Sequence, residues 1–320
     1  MATVGYASTT NLGVQLQALR SRLGEPYEDA TEDTGGTEGY YRQMELVEFI
    51  YQAELRLAKD LVNDALVGLH VTVSRTTTDA KDLYDLPTTG IDVADEPPVL
   101  RMISVDLNTG SGLFPCRQIS RKDLWKVDDW STHRAEPRHP VMMYDAAGQI
   151  LVRPIPTTVG GVGAGYLVFR YIKTPRRRYR WHRGITETST LSTLVDVDAA
   201  IYGDDYWITD CKSSIRLEDG TFRGEDRMID GFTSVTGTYS VAWDWSSLPP
   251  VGTEYIAGEI SDLGDHLGDL ILSFAAFLGK QKIGDEQGGA NYLAEYQSGV
   301  ETVNKTYAGA RGGHVEAVAP

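Results

Sequence analysis

Seven cationic side chains fall between Arg170 and Arg183, and three aromatic side chains are interleaved with them. The cations are Arg170, Lys173, Arg176, Arg177, Arg178, Arg180 and Arg183, and the aromatic residues are Tyr171, Tyr179 and Trp181. Guanidinium groups bind carboxylates and phosphates through paired hydrogen bonds, and aromatic rings stack on bases and on guanidinium groups. The segment therefore indicates a surface for an anionic partner.

The charge of the whole chain decides among the partners of this arginine segment. The formal net charge is -15, so the protein repels nucleic acid and anionic membranes over a Debye length. This balance favours pairing with the acidic face of a neighbouring subunit or of another protein. Local contact with DNA and a solvated basic loop stay open as alternatives.

Trp243 and Trp245 form a second candidate site. Alternate residues of a strand point to the same face, so the two indoles could make a platform for a sugar. Aromatic pairs of this kind more often cover a β-sandwich core or a contact between subunits. Either interpretation places them in a strand.

Catalytic and metal-binding patterns are weak along the chain. Adjacent carboxylates, as in Asp128-Asp129, Asp204-Asp205 and Glu225-Asp226, point to opposite faces when they lie in a strand. The best set for a cation is formed by Asp196, Asp198, Asp204 and Asp205, although it lacks EF-hand spacing. The six histidines show no HExxH motif, and the glycine run GGVGAG lacks the Lys-Ser or Lys-Thr of a phosphate loop. We expect no enzyme, no cofactor and no metal.

Length and composition predict a folded chain of two or three domains. Its 320 residues are 41% hydrophobic, which is enough for several cores, and no run of 18 apolar residues occurs. The N-terminus lacks the pattern of a signal peptide, so we expect folding in a cytoplasm. Cys116 and Cys211 are expected to be separate, reduced thiols.

Helical periodicity marks both ends of the chain. Leucines at 12, 16, 19 and 23 predict a first helix, with Thr9 or Thr10 as its cap and Gly24 at its end. The acidic, glycine-rich run EPYEDATEDTGGTEG predicts an exposed connection. A stripe containing Leu46, Ile50 and Leu57 predicts a second helix from Met44 to Leu69. Spacing from Leu263 to Leu278, capped by Ser261 or Asp262, and again from Tyr292 to Val303, predicts two more helices.

The middle of the chain has the period of β-strands. LYDLP, EPPVLRMISVDL, HPVMMYDAAGQILVRPIP and GYLVFRYIK predict one group of strands, with a hairpin turn at DAAG. YWIT, SSIRL, RMI and GTYSVAWDW, separated by turns, predict a second group.

These elements predict an α+β fold, in which the terminal helices form a bundle and a central β-barrel or sandwich carries a second β-rich insertion. The expected domains are residues 1–70 and 255–307 for the bundle, 71–183 for the central β domain, 184–254 for the insertion and 308–320 for a flexible tail. Small residues and a final proline make the tail mobile unless a partner orders it.

The order of these features resembles the head-to-tail adaptor, or connector, proteins of tailed phages with short, T7-like tails. LVEFIYQAELRLAKDL resembles the long helix of that family, and LYDLP with LRMISV resembles its first strand pair. ISRKDL, YDAAGQILVRPIP and LVFRYIKTP continue in the same order, and HLGDLILSFAAFLGKQKIGDEQGGANYLAEYQSGV resembles its C-terminal helices. The likeness covers about two thirds of the chain.

The resemblance implies a structural virion protein without enzymatic activity. It would form a ring, most often a dodecamer, that joins the portal protein to the tail or nozzle protein and continues the channel for DNA. Double-stranded DNA would pass through this channel without sequence-specific contacts, and the protein would have no membrane partner. It would lie at the head-tail junction of the virion after assembly in the host cytoplasm. The tail would clamp the portal through Gly309, Arg311, His314, Val315, Val318 and Pro320. The alternatives are a carbohydrate-binding virion protein acting through residues 184–254 and a cell-wall hydrolase.

Overall fold

The computed structural model describes residues 11–25, 41–76, 83–86, 98–108, 112–123, 138–145, 149–153, 166–209, 211–219 and 223–312. They divide into two compact units. The helical unit comprises Met1–Gly68 and Pro175–Pro320, and the sandwich unit comprises Leu69–Thr174. The second predicted group of strands falls entirely within the helical unit, so the helices and that group share one unit.

Four α-helices are described in the helical unit. They are α1 (Leu12–Leu23), α2 (Gln43–Asp60), α3 (Gly268–Lys282) and α4 (Glu286–Gly312). Helix α3 packs on the three others, which confirms that helices from both ends of the chain form a bundle. The hydroxyl of Tyr41 donates to the carbonyl of Gly279 at 2.6 Å, and Tyr292 donates to the carbonyl of Arg22 at 2.8 Å. Both bonds join the N-terminal helices to the C-terminal pair.

The helix boundaries differ from three predictions. Asn11, rather than Thr9 or Thr10, caps α1, and Gly24 ends it in the left-handed conformation as predicted. Helix α2 stops at Asp60 because Asn304 of α4 accepts the N–H of Val62 at 2.9 Å and donates to the carbonyl of Asp60 at 3.0 Å. Helix α3 starts at Gly268, after a short 3₁₀ turn, without a side-chain cap from Ser261 or Asp262.

A seven-stranded antiparallel sheet completes the helical unit. Its strands are β9 (Trp181–Ile185), β10 (Thr188–Ser189), β11 (Thr193–Val195), β12 (Ser213–Leu217), β13 (Asp226–Thr233), β14 (Thr238–Val241) and β15 (Glu254–Glu259), in the order β10-β11-β14-β13-β12-β15-β9. The sheet thus includes residues on both sides of the expected 184–254 block. YWIT was predicted as a strand but forms turns, because the N–H groups of Tyr206, Ile208 and Thr209 donate to carbonyls three or four residues earlier in the chain. Trp207 is fully buried and packs edge-on against Tyr202 and Tyr206.

The sandwich unit contains two four-stranded sheets. Its strands are β1 (His70–Thr76), β2 (Leu83–Asp85), β3 (Val99–Asn108), β4 (Leu113–Pro115), β5 (Arg117–Gln118), β6 (Val141–Tyr144), β7 (Gln149–Arg153) and β8 (Tyr166–Lys173). The orders β1-β8-β3-β4 and β2-β7-β6-β5 are both open, so the described strands form no closed barrel. Phe169 and Leu107 of one sheet and Ile150 and Val152 of the other share one core, which favours the sandwich.

Within the described residues, no helix is both long enough and apolar enough to span a membrane. Strands β6 and β7 pair as predicted for the hairpin around DAAG. Residues 26–39 of the run EPYEDATEDTGGTEG, the glycine run, and Pro154 and Pro156 lie outside the described residues. Glu25, the first residue of that run, is buried rather than exposed, and its carboxylate accepts the N–H of Tyr41 at 3.1 Å.

Candidate functional site: the arginine segment and two exposed surfaces

The arginine segment, residues 170–183, finds carboxylates within its own chain. Arg170 pairs with Asp106 in the sandwich unit. In the helical unit, Arg177 lies 2.6 Å from Glu48 and Arg183 lies 2.5 Å from Glu254. Arg176 and Arg180 each lie 3.8 Å from Glu259. Lys173 also has an interaction partner.

Arg178 is the most deeply placed of these cations. Its side chain and that of Glu54 are each 2% exposed, and Nη2 of Arg178 lies 2.8 Å from Oε1 of Glu54. The same guanidinium donates to Oε1 of Gln15 at 2.6 Å and to the carbonyl of Glu259 at 3.2 Å. It therefore joins α1, α2 and the end of β15. A charge in such a place is tolerated only when it is paired and hydrogen-bonded.

Glu54 supplies the negative charge of this buried pair. Burial raises the pKa of the Glu54 carboxyl, because desolvation outweighs the opposing effects of Arg178 and of the hydrogen bond from Ser261. Arg178 opposes this effect most strongly, through its charge and its hydrogen bond. Loss of Arg178 would raise the pKa of Glu54 further.

Glu259 fixes the backbone of the segment. Its Oε2 accepts the N–H groups of Tyr179 at 2.7 Å and of Arg180 at 3.0 Å. The guanidinium of Arg180 donates to the carbonyls of Tyr206 and Thr209 and lies 4.7 Å from the ring centre of Tyr206. The segment is thus bound into the helical unit by both side chains and backbone.

This internal pairing changes the expectation for the segment. The acidic partner was expected to be a neighbouring subunit or another protein, yet much of the cationic charge is matched inside the chain. Arg177 has the most exposed side chain of the paired arginines, at 53%. The binding of a partner by the arginine segment stays a prediction. Arg177 is the arginine of that segment that is most accessible to such a partner.

A second polar network lies in the seven-stranded sheet around Asp196. Its carboxylate accepts from the hydroxyl of Tyr255 at 2.6 Å and from the N–H of Asp198 at 2.9 Å, and it lies 3.2 Å from Nε2 of His182. Burial would raise the pKa of Asp196, but the hydrogen bonds from His182, Tyr255 and Asp198 together lower it. The carboxylate is an organising group of the core.

The predicted cation site does not assemble around this carboxylate. Asp198 and Asp205 are exposed, and Asp204 accepts the N–H of Ser234 at 2.6 Å. In the part of the chain that the structure describes, no three His, Cys, Asp or Glu side chains converge to hold a metal ion. Asp128 and Asp129 lie outside that part.

The two tryptophans of the second candidate site do not share a face. Strand β14 ends at Val241, before either of them, so the alternation expected of a strand does not apply. Trp245 is 2% exposed in the core, where the guanidinium of Arg227 lies 5.4 Å from its ring centre, while Trp243 is 67% exposed. The predicted two-ring platform is therefore wrong. Contact of Trp243 with a glycan or a subunit stays a prediction.

The tail begins later than expected. Helix α4 extends to Gly312, so Gly309 and Arg311 belong to its last turns rather than to a flexible segment starting at 308. His314, Val315, Val318 and Pro320 lie outside the described residues.

Two exposed surfaces escaped the sequence analysis. One, the basic edge, consists of Arg117, Arg121, Lys122 and Arg138 around strand β5 of the sandwich unit. The other, the hairpin-end patch, consists of Val197, Asp198, Ile201, Asp204, Asp205 and Val235 at the turn between β13 and β14. Three of the four basic residues lie between Arg117 and Lys122, and the pairing of β5 with β6 brings Arg117 beside the segment from Arg138 to Pro140. The short basic run is visible in the sequence, but its position at a sheet edge beside Arg138 is not.

Comparison with known proteins decides the family. A family model described as SU10 adaptor protein matches residues 10–209, well over half of the chain. The chain belongs to the SU10 adaptor family. This confirms the resemblance to phage head-to-tail adaptors and gives the protein a structural role in the virion. No curated protein matches the chain.

The SU10 adaptor match covers the main elements described above. It includes α1, α2, the sandwich unit, the arginine segment and the first strands of the seven-stranded sheet. Helices α3 and α4 lie beyond it, although they pack directly on α1 and α2. Because the family is one of structural adaptors, an enzyme is not the class to expect.

Proposed function

We propose that this SU10 adaptor forms a dodecameric ring that joins the portal to the tail or nozzle and continues the channel for double-stranded DNA. It occupies the head-tail junction of the virion and is assembled in the cytoplasm of the bacterial host. The observation that carries the proposal is the family match over residues 10–209, whose members are phage adaptors.

The construction of the helical unit supports a mechanical role. Buried Arg178 links α1, α2 and the end of β15, and Tyr41 and Tyr292 link the N-terminal helices to the C-terminal pair. A unit braced in this way keeps its shape under load. In a closed ring, each subunit presents one face to the opposite face of its neighbour, and modest contacts reinforce one another when they repeat.

The experiment is a binding measurement with the cognate portal. Purified chain and portal are mixed and separated by sedimentation, and the portal peak is expected to gain mass corresponding to a full ring of adaptor. The matched control is the same chain mixed with an unrelated ring-shaped protein of similar charge. A portal peak of unchanged mass at micromolar adaptor would contradict the proposal.

The C-terminal tail is the proposed portal clamp, because a segment of small residues can order along a groove of its partner. Helix α4 ends at Gly312, so deletion of residues 313–320 removes the tail without shortening the helix. The shortened chain should fold normally and bind the portal at least about tenfold more weakly. Portal binding equal to that of the full chain would remove the clamp from the proposal.

A further inference from the structure

The basic edge carries positive charge that the described chain does not neutralise. Arg117, Arg121, Lys122 and Arg138 are all exposed, and no ion pair joins any of them to a described carboxylate. The nearest acid in sequence, Asp123, accepts a hydrogen bond from the hydroxyl of Ser120 at 2.6 Å and has a further partner. This contrasts with the arginine segment, where the guanidinium groups have carboxylates of their own.

Local structure concentrates these cations. The N–H of Arg117 donates to the carbonyl of Pro140 at 2.9 Å, which brings Arg117 beside the segment that begins at Arg138. Arg121 and Lys122 stand in the 3₁₀ turn that follows strand β5. Among the described strands, β5 is the outermost of its sheet, so the cations lie along that edge. Charged side chains at a sheet edge also discourage unwanted strand pairing.

The hairpin-end patch has the opposite charge and an apolar centre. Val197 is 54% exposed, Ile201 is 80% exposed and Val235 is 86% exposed. Residues Val197–Ile201 form a 3₁₀ helix that begins after Asp196, and the N–H of Asp196 donates to the carbonyl of Gly237 in the hairpin turn at 3.0 Å. Three large aliphatic side chains exposed on adjoining segments indicate a surface that another molecule covers.

Carboxylates surround these aliphatic side chains. Asp198 stands between Val197 and Ile201, and Asp204 binds the N–H of Ser234 next to Val235. The N–H of Asp205 donates to the carbonyl of Phe232, which lies near the end of β13, just before the hairpin turn. The patch therefore suits a cationic partner whose side chains also have apolar stems, as arginine and lysine have.

We infer that the basic edge of one subunit binds the hairpin-end patch of the next copy of this chain. The two surfaces differ and lie in different units of the chain, so their contact is heterologous, as a ring requires. The inference rests on the proposed ring and assigns its interface.

Charge favours a second copy over DNA as the occupant of the basic edge. A chain with a net charge of -15 has acidic surface on every copy. The same net charge repels DNA except within a short distance of the four cations of the basic edge. The aliphatic side chains of the hairpin-end patch also have no role with a phosphate backbone, whereas they are buried in a contact between copies. One pairing thus accounts for both surfaces.

Zero-length cross-linking tests the contact directly. A carbodiimide joins the amine of Lys122 to a carboxylate that touches it, with loss of water to the reagent. Copies labelled with nitrogen-15 are mixed with unlabelled copies, alone and on the portal, and cross-linked peptides are identified by mass. Mixed-isotope peptides that join Lys122 to Asp198, Asp204 or Asp205 are expected. A ring on the portal without such peptides would overturn the inference and leave the proposed function intact, whereas no ring would overturn both.

Charge reversal provides the second arm. Arg121 and Lys122 are exposed and form no ion pair with a described residue, so Arg121→Glu with Lys122→Glu should leave folding unchanged and weaken self-association about tenfold. Adding Asp198→Lys in the same chain should restore part of the self-association. The control is Lys305→Glu, which changes an exposed cation of α4 outside both surfaces. Unchanged self-association in the reversed variant would overturn the inference. If the reversed variant kept its self-association but lost binding to duplex DNA, the basic edge would be assigned to DNA.

Discussion

Nη2 of Arg178 and Oε1 of Glu54 lie 2.8 Å apart, and both side chains are 2% exposed. The contact joins residues from distant parts of the chain: a helix near the N-terminus and the segment that follows the sandwich unit. It gives the helical unit an internal brace between α2 and the arginine segment.

Replacing Arg178 by Met removes the positive charge and leaves Glu54, Gln15 and the carbonyl of Glu259 without their donor. We expect Arg178→Met to lower the free energy of unfolding by about 3–5 kcal/mol, because three buried acceptors lose the donor that they share. Urea unfolding followed by circular dichroism measures this change.

The matched control for this brace is the neighbouring arginine. Arg177 and Glu48 form an exposed pair, and such pairs contribute about 0–1 kcal/mol, so Arg177→Met should change stability little. The double variant Arg178→Met with Glu54→Leu should recover much of the loss. Equal effects of the two single arginine variants would show that burial of the pair is unimportant.

Gly237 occupies a position that no side chain fits. Its φ is +60°, and a Cβ there would lie 1.8 Å from the carbonyl oxygen of Asp196. Gly252 has a φ of +89° but nothing within 4 Å of such a Cβ. Gly252→Ala should therefore cost about 1 kcal/mol from backbone strain, while Gly237→Ala should cost several times as much or prevent folding. Equal melting temperatures of the two variants would contradict this explanation.

The local patterns predicted most of the elements of this fold. Gly24 ends α1 because its αL conformation is a local property, and the period-two strands of the sandwich unit reflect one buried face. The predicted end of α2 at Leu69 was wrong, because the apolar spacing continues through Leu61 and Ala65. The helix ends at Asp60, where Asn304, far away in sequence, binds the backbone. Long-range contacts of this kind have no local signature.

Asn11 serves both as a helix cap and as a link to the sheet. Its Oδ1 accepts the N–H groups of Gly13 at 3.0 Å and Val14 at 3.3 Å, and its Nδ2 donates to the hydroxyl of Ser214 at 2.9 Å. Asn11→Ala should lower the free energy of unfolding by about 2 kcal/mol or more, because a cap and buried hydrogen bonds are lost together. Asn11→Asp keeps the cap acceptor and tests the donor separately. A melting temperature unchanged in both variants would disprove this role.

The lowered pKa of Asp196 predicts that the stability of the fold depends on pH. Its folded pKa is lowered below the ordinary value of about 3.9, so its contribution is complete above that pH and declines as the pH falls through the folded value. Compared with Asp196→Asn, the wild type should have its full advantage in melting temperature between pH 5 and 7, roughly, and lose it below about pH 4. An advantage that grows on acidification would contradict the lowered pKa.

The density of arginines in the sequence identified the arginine segment, but the sequence did not show which carboxylates pair with it. Glu48, Glu54, Glu254 and Glu259 are distant from it in sequence, and only the packing of α2 and β15 brings them close. In the basic edge, Arg117, Arg121 and Lys122 are close in sequence, and the pairing of β5 with β6 brings Arg117 beside the segment that begins at Arg138. In this acidic chain, the arginine segment therefore has internal partners, while the cations of the basic edge are exposed.

Imaging the adaptor on its cognate portal by electron cryomicroscopy tests the central claim most directly. The account predicts a closed ring of this chain, coaxial with the portal, whose subunits touch through the basic edge and the hairpin-end patch. Portal particles without added density, or single copies attached off the axis, would contradict the claim that this protein is the ring-forming joint between head and tail.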